Sequence, residues 1–169
     1  MTRVLLGLGS NIEPRLAYLR RAVAGLGCCG TVAALAPVYE SPPYGVTDQA
    51  AFLNTAALLD TERAPLALLA ALKAIEGELG RQRRERWGPR EIDIDIIFYG
   101  EQIVDLDGLT IPHPDAHNRR FVLRPLADLA PGWRDPRDGR TVQELLDTCG
   151  DSGALILHGQ PRILDDASL

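Results

Sequence analysis

The order of hydrophobic patterns along the first hundred residues constrains the fold more than any other feature of this sequence. Short apolar runs, which indicate buried strands, alternate with two stretches whose apolar residues recur at helical spacing. Strands are predicted over residues 3–7, 31–39, 52–59 and 91–99, and helices over residues 16–26 and 65–79. Strand, helix, strand, strand, helix, strand is the order of the ferredoxin-like arrangement. We therefore predict an α+β, ferredoxin-like βαββαβ core. Two helices should cover one face of a mostly antiparallel four-stranded sheet and leave the other face open.

Glycine and proline residues set the expected boundaries of these elements. Gly9-Ser10-Asn11 supplies turn and capping residues before the first helix, and Gly80 should end the second helix, which starts near Pro65. Pro37 interrupts the second strand and predicts an edge position or a bulge there. Residues 41–49 are rich in turn formers, and a loop of this length inside a compact domain is often functional.

The chain has 169 residues, which is enough for one well-packed domain, so we predict a single domain over residues 1–169 with C-terminal additions. Its apolar runs are far shorter than the roughly 20 residues of a membrane span, and its N-terminus looks like a strand and not like a signal peptide. The net charge of −5 disfavours a general nucleic-acid binder. We expect a cytoplasmic monomer that acts on small molecules, with no nucleic-acid or membrane partner.

Two aspartates in the last predicted strand are candidate metal ligands. Because side chains alternate along a strand, Asp93 and Asp95 should share one face, with α-carbons about 7 Å apart. Such a pair can hold or bracket two magnesium ions, which prefer hard oxygen ligands and leave positions open for phosphate. The alternative is an ordinary strand with a solvated face. Two like charges at this spacing repel, however, so an offsetting interaction is expected.

An arginine-rich loop immediately before this strand is the candidate phosphate-binding element. Its five guanidinium groups, which can grip phosphate oxygens in pairs, belong to Arg81, Arg83, Arg84, Arg86 and Arg90. The chain has 17 arginines and one lysine, so compositional bias is an alternative explanation. Trp87 within the loop favours a stacking partner or a lid that packs on closing.

Other nucleotide-binding and metal motifs are missing from the sequence. It contains no Walker phosphate-binding loop, and Gly7-Leu8-Gly9 lacks the third glycine of a dinucleotide fingerprint. His113 and His117 are four residues apart, but Pro114 between them argues against the helix that would align them on zinc. His113 is better suited to donate a hydrogen bond to a phosphate. A loop histidine in water is the alternative.

Several motifs taken together resemble the 6-hydroxymethyl-7,8-dihydropterin pyrophosphokinase family of folate biosynthesis, over about residues 3–131. The most specific is Arg86-Trp87-Gly88-Pro89-Arg90 followed by Asp93-x-Asp95. The others are Gly9-Ser10-Asn11, Ser41-Pro42-Pro43-Tyr44-Gly45, Phe52-Leu53-Asn54 and Pro112-His113 to Arg119-x-Phe121. The resemblance implies transfer of a pyrophosphoryl group from ATP to the pterin hydroxymethyl oxygen with release of AMP, assisted by two magnesium ions.

The resemblance also implies a role for each matching residue. Asp93 and Asp95 would hold the metal ions, and Trp87 would belong to a closing lid. The residues implied to contact the ATP phosphates or to lie near them are Arg81, Arg83, Arg90, His113 and Arg119, of which Arg81, Arg83 and Arg90 are the candidate catalytic groups. Glu76 and Ile96 would lie toward the adenosine. The residues implied to bind the pterin are Asn54 through hydrogen bonds, Phe52 and Phe121 through their rings, and Pro42, Pro43 and Tyr44 at the border of the pocket.

Two other classes of protein remain as alternatives. One is a ferredoxin-like ligand-sensing domain without enzymatic activity, for which the arginine loop would be ordinary surface. The other is a nucleotidyl or glycosyl transferase that uses Asp93-x-Asp95 to hold its metal. Neither class explains the segment Phe52 to Asn54 or Phe121.

Overall fold

The computed structural model of the chain describes residues 1–43 and 47–165 and is built around a six-stranded antiparallel sheet. The sheet strands are β1 Thr2–Ser10, β2 Thr31–Leu35, β3 Val38–Ser41, β4 Phe52–Thr61, β5 Asp93–Tyr99 and β8 Ile156–Gly159, and a separate hairpin consists of β6 Val104–Leu106 and β7 Leu109–Ile111. The order across the sheet is β5-β1-β4-β3-β8, and β2 also pairs with β4. Since β2 and β3 follow one another along β4, they replace the single second strand of the ferredoxin-like order.

One face of the sheet is covered by α1 (Arg15–Gly25) and α2 (Pro65–Glu78). Their leucines and isoleucines interlock with those of the strands in the first hydrophobic core, where Leu6, Leu19, Leu72 and Ile94 are all inaccessible to solvent. The two-helix face expected from the helical spacing is therefore confirmed. No helix among residues 1–43 and 47–165 is long and apolar enough to cross a membrane.

The expectation that the other sheet face would be open is wrong for part of that face. Residues after the ferredoxin-like core form α3 (Arg120–Leu129) and α4 (Val142–Asp147), which pack against it in a second hydrophobic core. Leu123 and Leu126 of α3 meet Leu5 and Phe98 of the sheet there. The part of this face toward Gly7 and Gly9 holds a cavity, which the first turn of α3 borders through Phe121.

Two local expectations change with the structure. β1 continues through Gly9 and Ser10, which were expected to form a turn, because they pair with Asn54 and Leu53 of β4. Pro37 separates β2 from β3, and the register irregularity lies earlier, between Val32 and Ala34. The cross-strand ladder has overridden the local turn preference of Gly9 and Ser10.

Candidate active site

The cavity on the second face of the sheet has a floor of bare main chain. In the strand register, Gly9 lies directly between Asn54 and Asp93, and Gly7 lies opposite Asp95. Directly paired residues on neighbouring strands project to the same face of a sheet. The register therefore brings the predicted pterin-binding amide and both predicted metal ligands to one surface, with glycines between them.

The absence of a side chain at Gly9 is required by the position of Asn54. A β-carbon at residue 9 would lie 2.8 Å from Asn54 Oδ1, whereas one at residue 7 would make ordinary contact with Ile97 at 3.5 Å. Asn54 is buried, and its Nδ2 donates to Ser41 Oγ at 2.6 Å, which fixes the direction of the amide. The Gly-x-Gly pattern inside a strand is a known sign of close approach by a ligand or another chain. It could have revealed this floor from sequence.

Most of the predicted site residues line this one cavity, which together with the solvent at its mouth spans about 700 Å³. The predicted residues on its walls are Pro42, Phe52, Asn54, Trp87, Arg90, Asp93, Asp95, Arg119 and Phe121. Pro43 lines a smaller adjoining cavity, and Tyr44 lies outside the residues that the structure describes.

The two aspartates differ in their surroundings. Asp93 accepts hydrogen bonds from Arg81 Nη1 at 3.1 Å and Arg90 Nη1 at 2.7 Å, so the arginine loop offsets its charge. Asp95 has no such ion pair among the described residues. Burial, and then the neighbouring charge of Asp93, raise the pKa of the Asp95 carboxyl to about 8. A proton on Asp95 therefore relieves the repulsion between the two carboxyls in the metal-free protein.

The carboxylates of Asp93 and Asp95 fit magnesium, which substrate phosphates help to bind, better than a metal ion held by protein ligands alone. Residues 1–43 and 47–165 contain no group of three or more histidine, cysteine, aspartate or glutamate side chains that could enclose an ion. Magnesium is usually bound through one or two carboxylates together with substrate phosphates. Asp93 and Asp95 supply two carboxylates at the edge of a cavity that also contains Arg90 and Arg119, which suits an ion that arrives with a polyphosphate.

The end of α2 directs Arg81 into the site. Gly80 adopts a left-handed conformation (φ 87°), its amide donates to Gly77, and the Arg81 amide donates to Glu76, which is a Schellman cap. The buried Glu76 carboxylate accepts hydrogen bonds from Arg81 Nη1 at 2.6 Å, from the Ile94 amide at 2.9 Å and from Lys73. Glu76 thus joins α2, the arginine loop and β5.

The rest of the arginine loop surrounds a second cavity of about 800 Å³. Arg90 lines both cavities, so they meet at its side chain. The predicted residues Glu76, Arg81 and Arg83 line only the second one. Its base is held by Glu91, which is almost fully buried and forms an ion pair with Arg84.

The predicted lid residue Trp87 lies between two guanidinium groups. The Arg86 and Arg119 carbons at the centre of each group are 4.7 and 4.5 Å from the centre of its ring. Trp87 also has φ 68°, a strained conformation for a bulky residue, and its carbonyl accepts a hydrogen bond from Gln49 Nε2 at 2.7 Å. Trp87 lines the cavity wall in a strained conformation that polar contacts maintain, and this arrangement is suited to a lid that moves.

Two residues that link the loops were missed by the sequence analysis. Asn11 is buried, donates to Gln49 Oε1 at 2.8 Å and to the Ala50 carbonyl, and accepts from the Arg90 amide at 2.8 Å. Through Gln49 and Trp87, the loop before β4 is therefore tied to the arginine loop. Asn11 was noticed as a possible helix cap and as part of a family motif, but not as a link between loops, and no local pattern distinguishes Gln49.

The predicted residues His113 and Ile96 line neither of the two cavities. Burial, and then the charge of Arg119, lower the pKa of His113 below its ordinary 6.5. Its Nδ1 accepts from the Asp115 amide at 3.2 Å, so the neutral ring carries its proton on Nε2. The Ile96 side chain is buried in the first hydrophobic core, so a contact with adenosine has to use its main chain. Both assignments remain predictions.

Comparison with known proteins shows the family to which this chain belongs. The model of a family described as 7,8-dihydro-6-hydroxymethylpterin-pyrophosphokinase (HPPK) matches residues 5–131. The chain belongs to this family. The matched residues include every strand of the ferredoxin-like core and the whole lining of the main cavity. The resemblance found from sequence motifs is thereby confirmed.

Bacterial HPPK relatives match nearly the full chain. The 2-amino-4-hydroxy-6-hydroxymethyldihydropteridine pyrophosphokinase of Pseudomonas aeruginosa is 49% identical over 159 residues, which are 93% of this chain and 98% of that protein. The protein of the same name from Methylorubrum extorquens is 46% identical over 156 residues, or 90% of this chain and 97% of that protein.

A solved structure supports the HPPK fold independently of sequence identity. The crystal structure of Plasmodium falciparum HPPK-DHPS with pteroate superposes with a TM-score of 0.70 at 17% identity and covers 86% of this chain. This chain spans 42% of the Plasmodium chain, so the likeness concerns one part of a longer protein. At this low identity the match shows the fold alone, and it confirms the predicted α+β class.

Proposed function

We propose that this chain carries out the reaction named by its family, transferring the pyrophosphoryl group of ATP to 6-hydroxymethyl-7,8-dihydropterin. The hydroxymethyl oxygen forms a bond to the β-phosphorus and loses its proton. The bond between the β-phosphorus and the oxygen bridging to the α-phosphate breaks, and AMP leaves. The proposal rests on one observation, which is that Phe52, Asn54 and Phe121 line the same cavity as Asp93 and Asp95. The pterin hydroxymethyl group and the ATP phosphates can therefore meet inside it.

The pterin is proposed to lie between the rings of Phe52 and Phe121, with its polar edge toward Asn54. A flat bicyclic ring with an amide-like edge needs aromatic surfaces and a few fixed hydrogen bonds. The bond from Asn54 to Ser41 orients the amide before the ligand arrives, which reduces the cost of ordering it on binding. Pro42, Pro43 and Tyr44 are proposed to border the ring.

The phosphates are proposed to lie along Arg81, Arg83, Arg90, Arg119 and His113, with two magnesium ions held by Asp93 and Asp95. When bound, magnesium neutralises charge on the phosphate oxygens. Arg90 is shared by the two cavities and is suited to contact the group in transfer. Neutral His113 can donate from Nε2 to a phosphate oxygen. These residues position the chain of phosphates and spread its charge, which is most of what phosphoryl transfer requires of a protein.

The adenosine is proposed to lie at the outer edge of β5. The Ile94 amide points away from β1, since it donates to Glu76. Main-chain groups two residues apart face the same side of a strand, so the amide and carbonyl of Ile96 point to the same edge. This supports an adenosine site near Ile96 and Glu76. Trp87 is proposed to close over the bound substrates.

A product assay tests the proposed reaction. The protein is incubated with ATP, magnesium and 6-hydroxymethyl-7,8-dihydropterin, and the nucleotide and pterin products are identified by phosphorus NMR. AMP and a pterin diphosphate should appear in equal amounts. A 6-methyl pterin, which lacks the accepting oxygen, is the matched control and should yield no AMP. ADP as the product would contradict transfer of a pyrophosphoryl group. Release of inorganic pyrophosphate with the nucleotide joined to the pterin would support a nucleotidyl transferase, and pterin binding without turnover would support the ligand-sensing class.

We also propose that the protein is a cytoplasmic monomer that acts on small molecules. The net charge of −5 disfavours nucleic acid as a partner. Light scattering on the purified protein, with and without substrates, measures the oligomeric state directly.

A further inference from the structure

The segment from Asp151 to Gly159 joins two elements that carry walls of the main cavity. It lies beyond the residues matched by the family model. Its strand β8 pairs with β3, where Tyr39 lies opposite Leu157 and Glu40 opposite Ile156. β3 ends at Ser41, so β8 extends the sheet beside the strand that leads into the Pro42 side of the cavity.

The same segment also holds the first turn of α3. Asp151 Oδ2 accepts a hydrogen bond from the Arg120 amide at 3.1 Å, and Asp151 Oδ1 accepts from the Gly153 amide at 2.8 Å. Arg120 Nη1 in turn donates to the Gly153 carbonyl at 3.3 Å. The first amides of a helix have no partner within the helix, and a carboxylate there is favoured by the helix dipole. Asp151 therefore fixes the main chain at Arg120.

The residues on either side of Arg120 are the ones that face the proposed substrates. Arg119 and Phe121 line the main cavity. Phe121 also lines a smaller cavity of about 340 Å³, which Asp151 and Gly153 line as well. Space in this cavity leaves the Phe121 ring room to shift if the main chain at Arg120 moves.

We infer that Asp151 is a positioning residue for the pterin, acting through Arg120 on Phe121. The inference rests on the proposed function of the main cavity as the pterin site. Asp151 is not proposed to touch substrate. Most of the ATP side of the site is built from α2, the arginine loop and β5, and no hydrogen bond joins Asp151 to these elements among the described residues. Arg119, the proposed phosphate contact next to the anchor, is held separately by its amide bond to the Ala116 carbonyl and by Asp115 at 3.3 Å. The effect should consequently fall mainly on the pterin.

Replacement of the anchor gives a specific kinetic signature. Asp151→Ala should raise the KM for the pterin, and the dissociation constant in an equilibrium titration of pterin fluorescence, about fivefold, the scale of one ordinary hydrogen bond. The KM for ATP and kcat should change less than about twofold. Asp151→Asn keeps one accepting oxygen in place of two, so it can retain the bond from the Arg120 amide and should restore part of the pterin affinity.

A second variant disturbs the anchor without removing it. In Gly153→Ala, the new β-carbon would lie 2.9 Å from Asp151 Oδ1 and should push that carboxylate away from the Arg120 amide. Gly150→Ala, whose β-carbon meets nothing within 4 Å, is the matched control. Asp147→Ala, which removes an aspartate bonded only to Gln143 of its own helix among the described residues, controls for charge. Both controls should keep wild-type constants.

The measurements separate this inference from the proposed function. Pterin affinity weakened in Asp151→Ala and Gly153→Ala, with ATP parameters and both controls unchanged, supports positioning. Equal weakening of pterin and ATP binding overturns the inference, as does a lower melting temperature with all kinetic constants unchanged. If the wild-type protein binds pterin but does not form AMP, the proposed reaction fails while the fluorescence titration still tests the role of Asp151. If Asp151→Ala does not fold, Asp151→Asn and Gly153→Ala decide.

Discussion

The two faces of the central sheet differ in what fills them, although the same strands form both. The face under α1 and α2 is filled with branched aliphatic side chains, such as Leu6 and Ile94, that exclude water completely. On the other face, one part is packed against α3 and α4, and another part has glycines in β1 flanked by Asn54, Asp93 and Asp95. One strand can therefore stabilise the fold with one set of alternate residues and build a site with the other.

The difference between the two sheet faces is tested most severely by a variant on the face that holds the cavity. Asp95→Asn should lower kcat/KM by about 10³-fold, the scale for loss of a group that stabilises transition-state charge. The free energy of unfolding in the absence of metal should rise at neutral pH, because a carboxyl whose pKa is raised on folding destabilises the folded state there and the amide does not carry that cost. Steady-state kinetics and urea unfolding measure the two effects. Near-normal turnover would show that the metal is held elsewhere.

A variant on the other face should show the reverse pattern. Leu72→Ala removes a fully buried side chain of α2 and should lower the free energy of unfolding by about 2–5 kcal/mol. Turnover per folded molecule at low temperature should stay close to wild type, because Leu72 does not line either substrate cavity. Chemical denaturation combined with active-site titration checks this. A large loss of kcat in the folded fraction would show that the two faces are coupled.

The glycine floor is tested by a pair of substitutions. Gly9→Ala should move Asn54, because its β-carbon would lie 2.8 Å from Oδ1, and should raise the KM for pterin about tenfold, the equivalent of one good hydrogen bond. Gly7→Ala adds the same methyl group in ordinary contact with Ile97 and is the matched control. Pterin titrations of both proteins provide the comparison. Equal effects would mean that filling the floor matters and that the orientation of Asn54 does not.

The hydrogen bonds of Gln49, which link the loop before β4 to the arginine loop, should affect lid motion more than pterin affinity. Gln49→Ala removes the bond to the Trp87 carbonyl and the bond from Asn11, so the strained conformation at Trp87 loses part of its support. We expect a three- to tenfold slower closing step, about the effect of one hydrogen bond, with a smaller change in pterin affinity. Stopped-flow fluorescence of Trp87 measures the step. An unchanged rate would exclude Gln49 from lid closure.

The smallest expected effect comes from His113. Its folded pKa is below the ordinary 6.5, so between these two values the unfolded chain binds more protons than the folded one. Stability should therefore fall as the pH is lowered from 6.5 and should level off below the folded pKa. His113→Gln should remove this contribution. Urea unfolding of both proteins between pH 5 and 8 measures it, and identical pH profiles would contradict the assignment.

The parts of the structure that could be predicted are those governed by local periodicity. The alternation of Ile94 with Asp93 and Asp95 located two faces of β5, and Gly80 located the end of α2, because each depends on residues within one or two turns. The hairpin of β6 and β7 carried a comparable local signal in Asp107-Gly108, which was overlooked; Gly108 has φ 82° at its turn.

The missed features depend on partners that are far away in sequence. β8 is a four-residue strand whose existence rests on pairing with β3, so its own composition carries little information. The cover of the second face depends on α3, a short helix that contains Pro125. In the site, Gln49 acquires its importance only through Asn11 and Trp87. Cross-chain pairing and packing decided each of these.

The bare floor under the proposed substrates limits how the protein can escape an inhibitor. A compound that rests on the main chain at Gly7 and Gly9 touches atoms common to every amino acid, so a substitution cannot remove those contacts. The one obvious change at Gly9 brings a methyl group against Asn54, which the natural substrate is proposed to need. Resistance would then have to arise in the walls, where Phe121 and its distant support at Asp151 offer more freedom than the floor does.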